Sequence, residues 1–87
     1  MVDLDLSKNR INSAAVVPFT RLFEENFKIR SINLRHNLIT DEGAQLLVQS
    51  VVNNVYITKL QLEMNPLRHS VIVDIEKHTA QNQLKVS

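Results

Sequence analysis

The chain has 87 residues, ten basic and nine acidic, for a formal net charge of +1, and 44% of its residues are apolar. Interleaved charge of both signs argues against a nucleic-acid or anionic-membrane surface, and with no cysteine there are no disulfides or thiolate metal sites, which fits a reducing compartment. The opening residues, MVDLDL, carry neither the positive region nor the apolar run of a secretory signal, and no stretch reaches transmembrane length, so a cytoplasmic location is expected.

The first element is a short strand. Leu4 and Leu6 alternate as the inward side of a strand requires, because strand side chains switch faces at every residue. Asn9 and Ile11 follow, and this spacing returns twice, since Asn9, Asn37 and Asn65 stand 28 residues apart. With the asparagine as position nine, position one holds Met1, Ile29 and Ile57, and position four holds Leu4, Ile32 and Leu60. Position six holds Leu6, Leu34 and Leu62, and position eleven holds Ile11, Ile39 and Leu67. All twelve are apolar, which at 44% apolar composition happens by chance about once in 20,000 trials. Three stacked repeats are therefore expected, at about 1–28, 29–56 and 57–84, and a further asparagine falls in register at Asn26, Asn54 and Asn82. At position nine the chain turns away from the strand and leaves backbone N–H and C=O groups inside the bend. A carboxamide offers an acceptor and two donors, so Asn9, Asn37 and Asn65 read as a structural ladder that joins successive turns, not as ligands.

After each position eleven the apolar period lengthens toward 3.6. In the first repeat Asn12 is the cap candidate, with Ala15, Phe19, Leu22 and Phe23 facing inward; Pro18 predicts a kink or a later helix start. In the second, Thr40 precedes Asp41 and Glu42, two acids at the positive end of a helix whose inner face is Ala44, Leu47, Val48 and Val51. In the third, Val71, Ile72 and Ile75 lie inside behind Arg68, a poorer cap, and the stretch 76–83 is more polar.

The pattern LxLxxN, the helix head ITDEGAQLL at 39–47 and the 28-residue step resemble the ribonuclease-inhibitor-like class of leucine-rich repeats, over nearly the whole chain. The resemblance implies an α/β fold, a curved solenoid or horseshoe segment with parallel strands concave and helices convex. It also implies binding of a protein partner through the concave face. Lys85 breaks the register where a fourth repeat would begin, and the polar third helix suits a closing repeat. Met1 at an inward position leaves the first strand uncapped. The single domain 1–87 is therefore expected to be part of a longer array, with a stacking neighbour on its N-terminal side where Leu4, Leu6, Val16 and Phe19 lack one.

No constellation supports an enzyme or a cofactor. His36, His69 and His78 have no metal-ligand spacing, Asp3 and Asp5 read as a solvated patch, and the lone Gly43 builds no phosphate loop. What remains is the outward side of the strands. It reads Asp3, Asp5, Ser7, Lys8, then Ser31, Asn33, Arg35, His36, then Lys59, Gln61, Glu63, Met64. Parallel strands put matching positions about 4.8 Å apart, which sets Arg35 beside Glu63 and aligns Asp5, Asn33 and Gln61. The leading expectation is a non-catalytic protein-interaction module or scaffold, with Arg35 and Met64 as anchors and Tyr56 as a loop contact or packing group. A structural subunit of a larger assembly is the alternative. Regulation of a GTPase rests on family analogy alone.

Overall fold

A computed structural model describes residues 1–86; Ser87, the last residue of the expected domain, lies outside them. Three strand–turn–helix units follow one another: β1 (Val2–Asp5), α1 (Ser13–Glu25), β2 (Ile29–Asn33), α2 (Asp41–Asn53), β3 (Lys59–Gln61) and α3 (His69–Val86). The strands form one parallel sheet in the order β1-β2-β3. Parallel neighbours cannot be joined by a tight hairpin, and each helix supplies the crossover. Leu4, Ile32 and Leu60 align across the sheet, flanked by the rows Asp3–Ser31–Lys59 and Asp5–Asn33–Gln61.

The core lies between this sheet and the helices. Ile32 and Leu60 enter from the strands, Leu34 and Leu62 from just past their ends, Ile11, Ile39 and Ile57 from the connecting segments, and Val16, Phe23, Leu47, Val51 and Ile75 from the helices. Each such side chain contributes about 1.5–3 kcal/mol on burial. The first unit is less well covered: Leu4 and Leu6 are only partly buried, and Met1, expected inside, is 73% exposed. Among the described residues no strand pairs with the outer edge of β1, and Met1 is exposed where Ile29 and Ile57 are buried.

Three further expectations for α1 are corrected. Val16 does not lack cover but is 1% exposed, one heptad before the fully buried Phe23, while Leu22 turns outward at 47% exposure. Packing on α2 selects the Val16–Phe23 stripe, with Phe19 stacked on Phe23 at a ring separation of 5.8 Å. Nor does Pro18 delay the helix. The Asn12 carboxamide accepts the Ala15 N–H at 2.9 Å and fixes the start at Ser13, leaving Pro18 inside.

The start of α2 is built differently. Thr40 occupies the cap position, yet its side chain makes no cap bond. Ser13, the first residue of α1, accepts the N–H groups of Thr40 and Gly43 on its hydroxyl, both at 3.1 Å, and pairs with the Thr40 hydroxyl at 2.7 Å. Asp41 performs the same service for the third unit, accepting the Arg68 N–H at 3.1 Å and its guanidinium at 2.6 Å. The starts of α2 and α3 are thus each completed by a residue of the preceding helix. The approach is close: a Cβ on Gly43 would lie 2.6 Å from the Ser13 hydroxyl oxygen and 3.0 Å from its Cα. Gly43→Ala should therefore destabilise the protein by about 1–3 kcal/mol, although alanine is the better helix former by about 1 kcal/mol. Urea denaturation of the variant checks the sign.

Candidate functional site

The turns that end the strands are held from within by asparagine. The Asn37 carboxamide oxygen accepts the N–H groups of Asn9 at 2.9 Å and Ile11 at 3.0 Å. Its amide nitrogen donates to the carbonyls of Leu6 and Leu34, both at 3.0 Å, and Arg35 at 3.3 Å. Asn65 accepts from Ile39 at 3.0 Å and donates to Leu34 at 2.8 Å and Leu62 at 3.0 Å. Asn9 differs: its side chain is exposed and donates only to Ser7 of its own turn, at 3.1 Å. A second set works at the helix ends. Asn54 donates to Phe23 at 2.7 Å and Asn26 at 3.0 Å, and Asn82 to Val51, Asn54 and Ile57 at 3.0, 3.3 and 2.8 Å.

Opposite the helices the sheet shows a polar face. Asp3, Asp5, Lys59, His36 and Met64 are exposed there, and Ser31, Asn33, Arg35, Gln61 and Glu63 are half-buried. Arg35 donates to Glu63 at 3.0 Å just beyond the ends of β2 and β3. Asp3 is gripped by both nitrogens of an Arg30 fork, at 3.2 and 2.9 Å. That hydrogen-bonded guanidinium, with help from Ser31, holds the Asp3 carboxyl below its ordinary value. Asp5 is lowered likewise by the Ser7 hydroxyl and N–H, at 2.6 and 3.0 Å. Asn33 makes the same local turn, accepting the Arg35 N–H at 3.1 Å. The row Asp5–Asn33–Gln61 is therefore partly engaged in shaping its own strand ends.

Lys8, His36 and Met64, one in each turn, all adopt left-handed backbone, with φ of 60°, 58° and 65°. A non-glycine residue there carries strain of roughly 1–2 kcal/mol. The sharp bend leaves the strained side chain outside and, in the second and third units, turns the next residue, Asn37 or Asn65, toward the core. Met64 is 69% exposed as a result.

Other sequence candidates fall elsewhere. Tyr56 is 44% exposed and packs edge-on against Phe27 at 5.8 Å, at the end of the units away from the strand turns. His78 lies on α3 and bonds the Asp74 carbonyl at 2.8 Å. Among the described residues no three His, Cys, Asp or Glu side chains are placed to hold a metal, and no helix is long and apolar enough to cross a membrane. A groove of about 530 Å³ between α2 and α3, lined by Gln45, Val48, Gln49, Ser70, Val71 and Asp74, opens on the helical side and touches no residue of the polar face. Sequence reasoning missed Arg30 and the Phe27–Tyr56 pair; the signal for Arg30 was an opposite charge 27 residues from Asp3.

With this geometry in hand, residues 25–48, spanning β2 and the first half of α2, match a family model described as a leucine-rich repeat. The match supports a leucine-rich repeat protein, and the parallel sheet with its three helices is consistent with that type of fold. No curated protein matches the chain significantly.

Two outcomes are expected. Asn37→Ala strips the buried turn of its satisfying group and should cost about 3 kcal/mol or more, read by denaturant titration. For Arg35–Glu63, burial alone would raise the Glu63 carboxyl, but a backbone hydrogen bond and then Arg35 outweigh it and hold it below its ordinary value. The stabilisation is then present above the unfolded pKa, about 4.3, and is lost as pH falls through the lowered folded value. Both partners are 43% exposed, so a double-mutant cycle at neutral pH should give under about 1 kcal/mol. That coupling should fade toward acid pH and in high salt.

Proposed function

We propose that this protein is a non-catalytic protein-interaction module of the ribonuclease-inhibitor-like leucine-rich repeat class, built on 28-residue repeats as a curved solenoid. Its partner binds across the solvent side of the strands, the concave face of such an array. One observation carries the reading: a hydrogen-bonded sheet presents nine polar or charged side chains with Met64 beside them, and no catalytic grouping is found among the described residues. The face is Asp3, Asp5, Ser31, Asn33, Arg35, His36, Lys59, Gln61, Glu63 and Met64. Mixed charge suits a polar partner surface of matching pattern, and complementary charge governs which partner is accepted and how fast it docks. Arg35 and Met64 are the anchors, the first because arginine is enriched among binding hot spots and the second because its thioether is adaptable and largely exposed. A cytoplasmic setting fits the cysteine-free composition.

The test starts from partners recovered on the immobilised protein. Arg35→Ala combined with Glu63→Ala should weaken their binding by about tenfold, in the range of a hot-spot loss, with the circular dichroism spectrum unchanged. Undiminished binding by the folded double variant rejects this face.

A further inference from the structure

We propose that the rim where the strands turn toward the helices is the docking site of an acidic, partly apolar segment of a partner protein. Its carboxylates meet Lys8 and Arg10, and an apolar side chain meets Leu38, Met64 and Pro66. The proposal rests on the reading that the strand side binds a protein, and it names the chemistry of what reaches the border of that face.

Backbone strain marks the place. Lys8, Arg10, His36 and Met64 have φ of 60°, 55°, 58° and 65°, and they are all the positive-φ residues among those described. Glycine or asparagine would hold such a bend with less strain. All four side chains are exposed, and those of Lys8, Arg10 and His36 make no hydrogen bond or ion pair among the described residues. Strain kept at exposed side chains that hold nothing in the fold points to binding. The backbone sets how they line up. The Lys8 N–H donates to the Arg35 carbonyl at 3.0 Å, that of His36 to Glu63 at 3.2 Å and that of Leu38 to Ile11 at 2.8 Å. Matching repeat positions then form two rows, Lys8–His36–Met64 and Arg10–Leu38–Pro66. Each row passes from a cation in the first unit to an apolar side chain in the third. Leu38 is 54% exposed within its row, and Pro66 is exposed at its end.

The charge balance selects the occupant. The carboxylates near the rim are already engaged: Asp5 accepts the Ser7 hydroxyl and N–H at 2.6 and 3.0 Å, Glu63 the Arg35 guanidinium at 3.0 Å, and Asp41 the Arg68 guanidinium at 2.6 Å. Lys8 acts on Asp5 by charge alone, without a hydrogen bond. The Lys8 ammonium and the Arg10 guanidinium therefore keep all their donors for oxygens from outside. Two cations that give way to leucine, methionine and proline make too short a track for a nucleic acid or an anionic membrane, which reward charge along the whole contact. A peptide supplies both kinds of group. Parallel strands lie about 4.8 Å apart, so the first and third units are separated by about 10 Å. An extended segment crosses that distance in about three residues, with its acidic end toward the first unit.

The probe is a displayed library of random peptides about twelve residues long, enough to cross all three units, selected on the full chain. Selected peptides should share aspartate or glutamate and, about three residues away, an apolar side chain. Lys8→Asn with Arg10→Asn should weaken them about tenfold. The variant should be at least as stable to urea, because asparagine suits a positive φ. Leu38→Asn should weaken the peptides about fivefold. Selection without acidic enrichment overturns the proposal, as does equal binding by the Lys8→Asn, Arg10→Asn variant. So does a DNA oligonucleotide or a phosphatidylserine vesicle that displaces the peptide at about 0.15 M salt. Light scattering of the protein alone should give a monomer; an oligomer dissolved by the same two substitutions would make the occupant a second copy and overturn it. The two readings fail separately. Captured partners lost by the Arg35→Ala, Glu63→Ala variant but kept by the Lys8→Asn, Arg10→Asn variant leave the strand face standing and remove the rim. The opposite result keeps the rim and removes the face.

Discussion

Everything in this molecule depends on how the backbone groups inside each turn are satisfied. A strand that ends in a sharp bend toward a helix buries N–H and C=O groups, and an unpaired buried polar group costs about 1–3 kcal/mol. One asparagine serves several at once. Because Asn37 and Asn65 spend part of their bonding capacity on the unit before them, turn closure and unit stacking are a single event. The helix ends obey the same logic through Asn54 and Asn82, and the helix starts through Ser13 and Asp41. The hydrophobic core supplies most of the stabilisation, but these side chains decide that the units stack in one register.

That division leaves the outer side of the sheet with little structural duty beyond local turns at Asp5 and Asn33 and the exposed pairs Asp3–Arg30 and Arg35–Glu63. Side chains there answer to solvent and to whatever docks. The left-handed residues Lys8, His36 and Met64 sit at the boundary. The same bend that turns Asn37 and Asn65 inward presents a lysine, an imidazole and a thioether along one rim.

Much of the fold was legible in the chain because the asparagine spacing and the apolar positions four, six and eleven obey one period. The strands, the helix start after Asn12 and the inner face Ala44, Leu47 and Val51 all follow from it. What escaped was decided by neighbours outside the local pattern. Leu22 and Val16 are both plausible on an apolar helix face, and packing on α2 chooses between them. Met1 is in register yet uncovered. Gly43 looks like an ordinary weak helix residue until Ser13 is found against it. Comparing identical repeat positions, 28 apart, finds Arg35–Glu63 but overlooks Asp3–Arg30 and Asp41–Arg68, which are 27 apart. The β1–β2 register slips by one residue at Val2, which pairs with Ile29, and side chains at that edge reach diagonally. The polar face was visible as a list of residues; which members hold one another was not.

Every hydrogen bond between units among the described residues joins consecutive ones; none links the first to the third. Closing such contacts costs nearly the same chain entropy at each step, because the sequence separation hardly changes. Assembly therefore resembles a zipper with equal teeth more than a knot tightened from its far ends. A pulling force applied at the termini would meet resistance one unit at a time, and α3 could detach while β1, α1, β2 and α2 keep their mutual bonds. For the interaction module proposed above, this makes grip and length separable quantities.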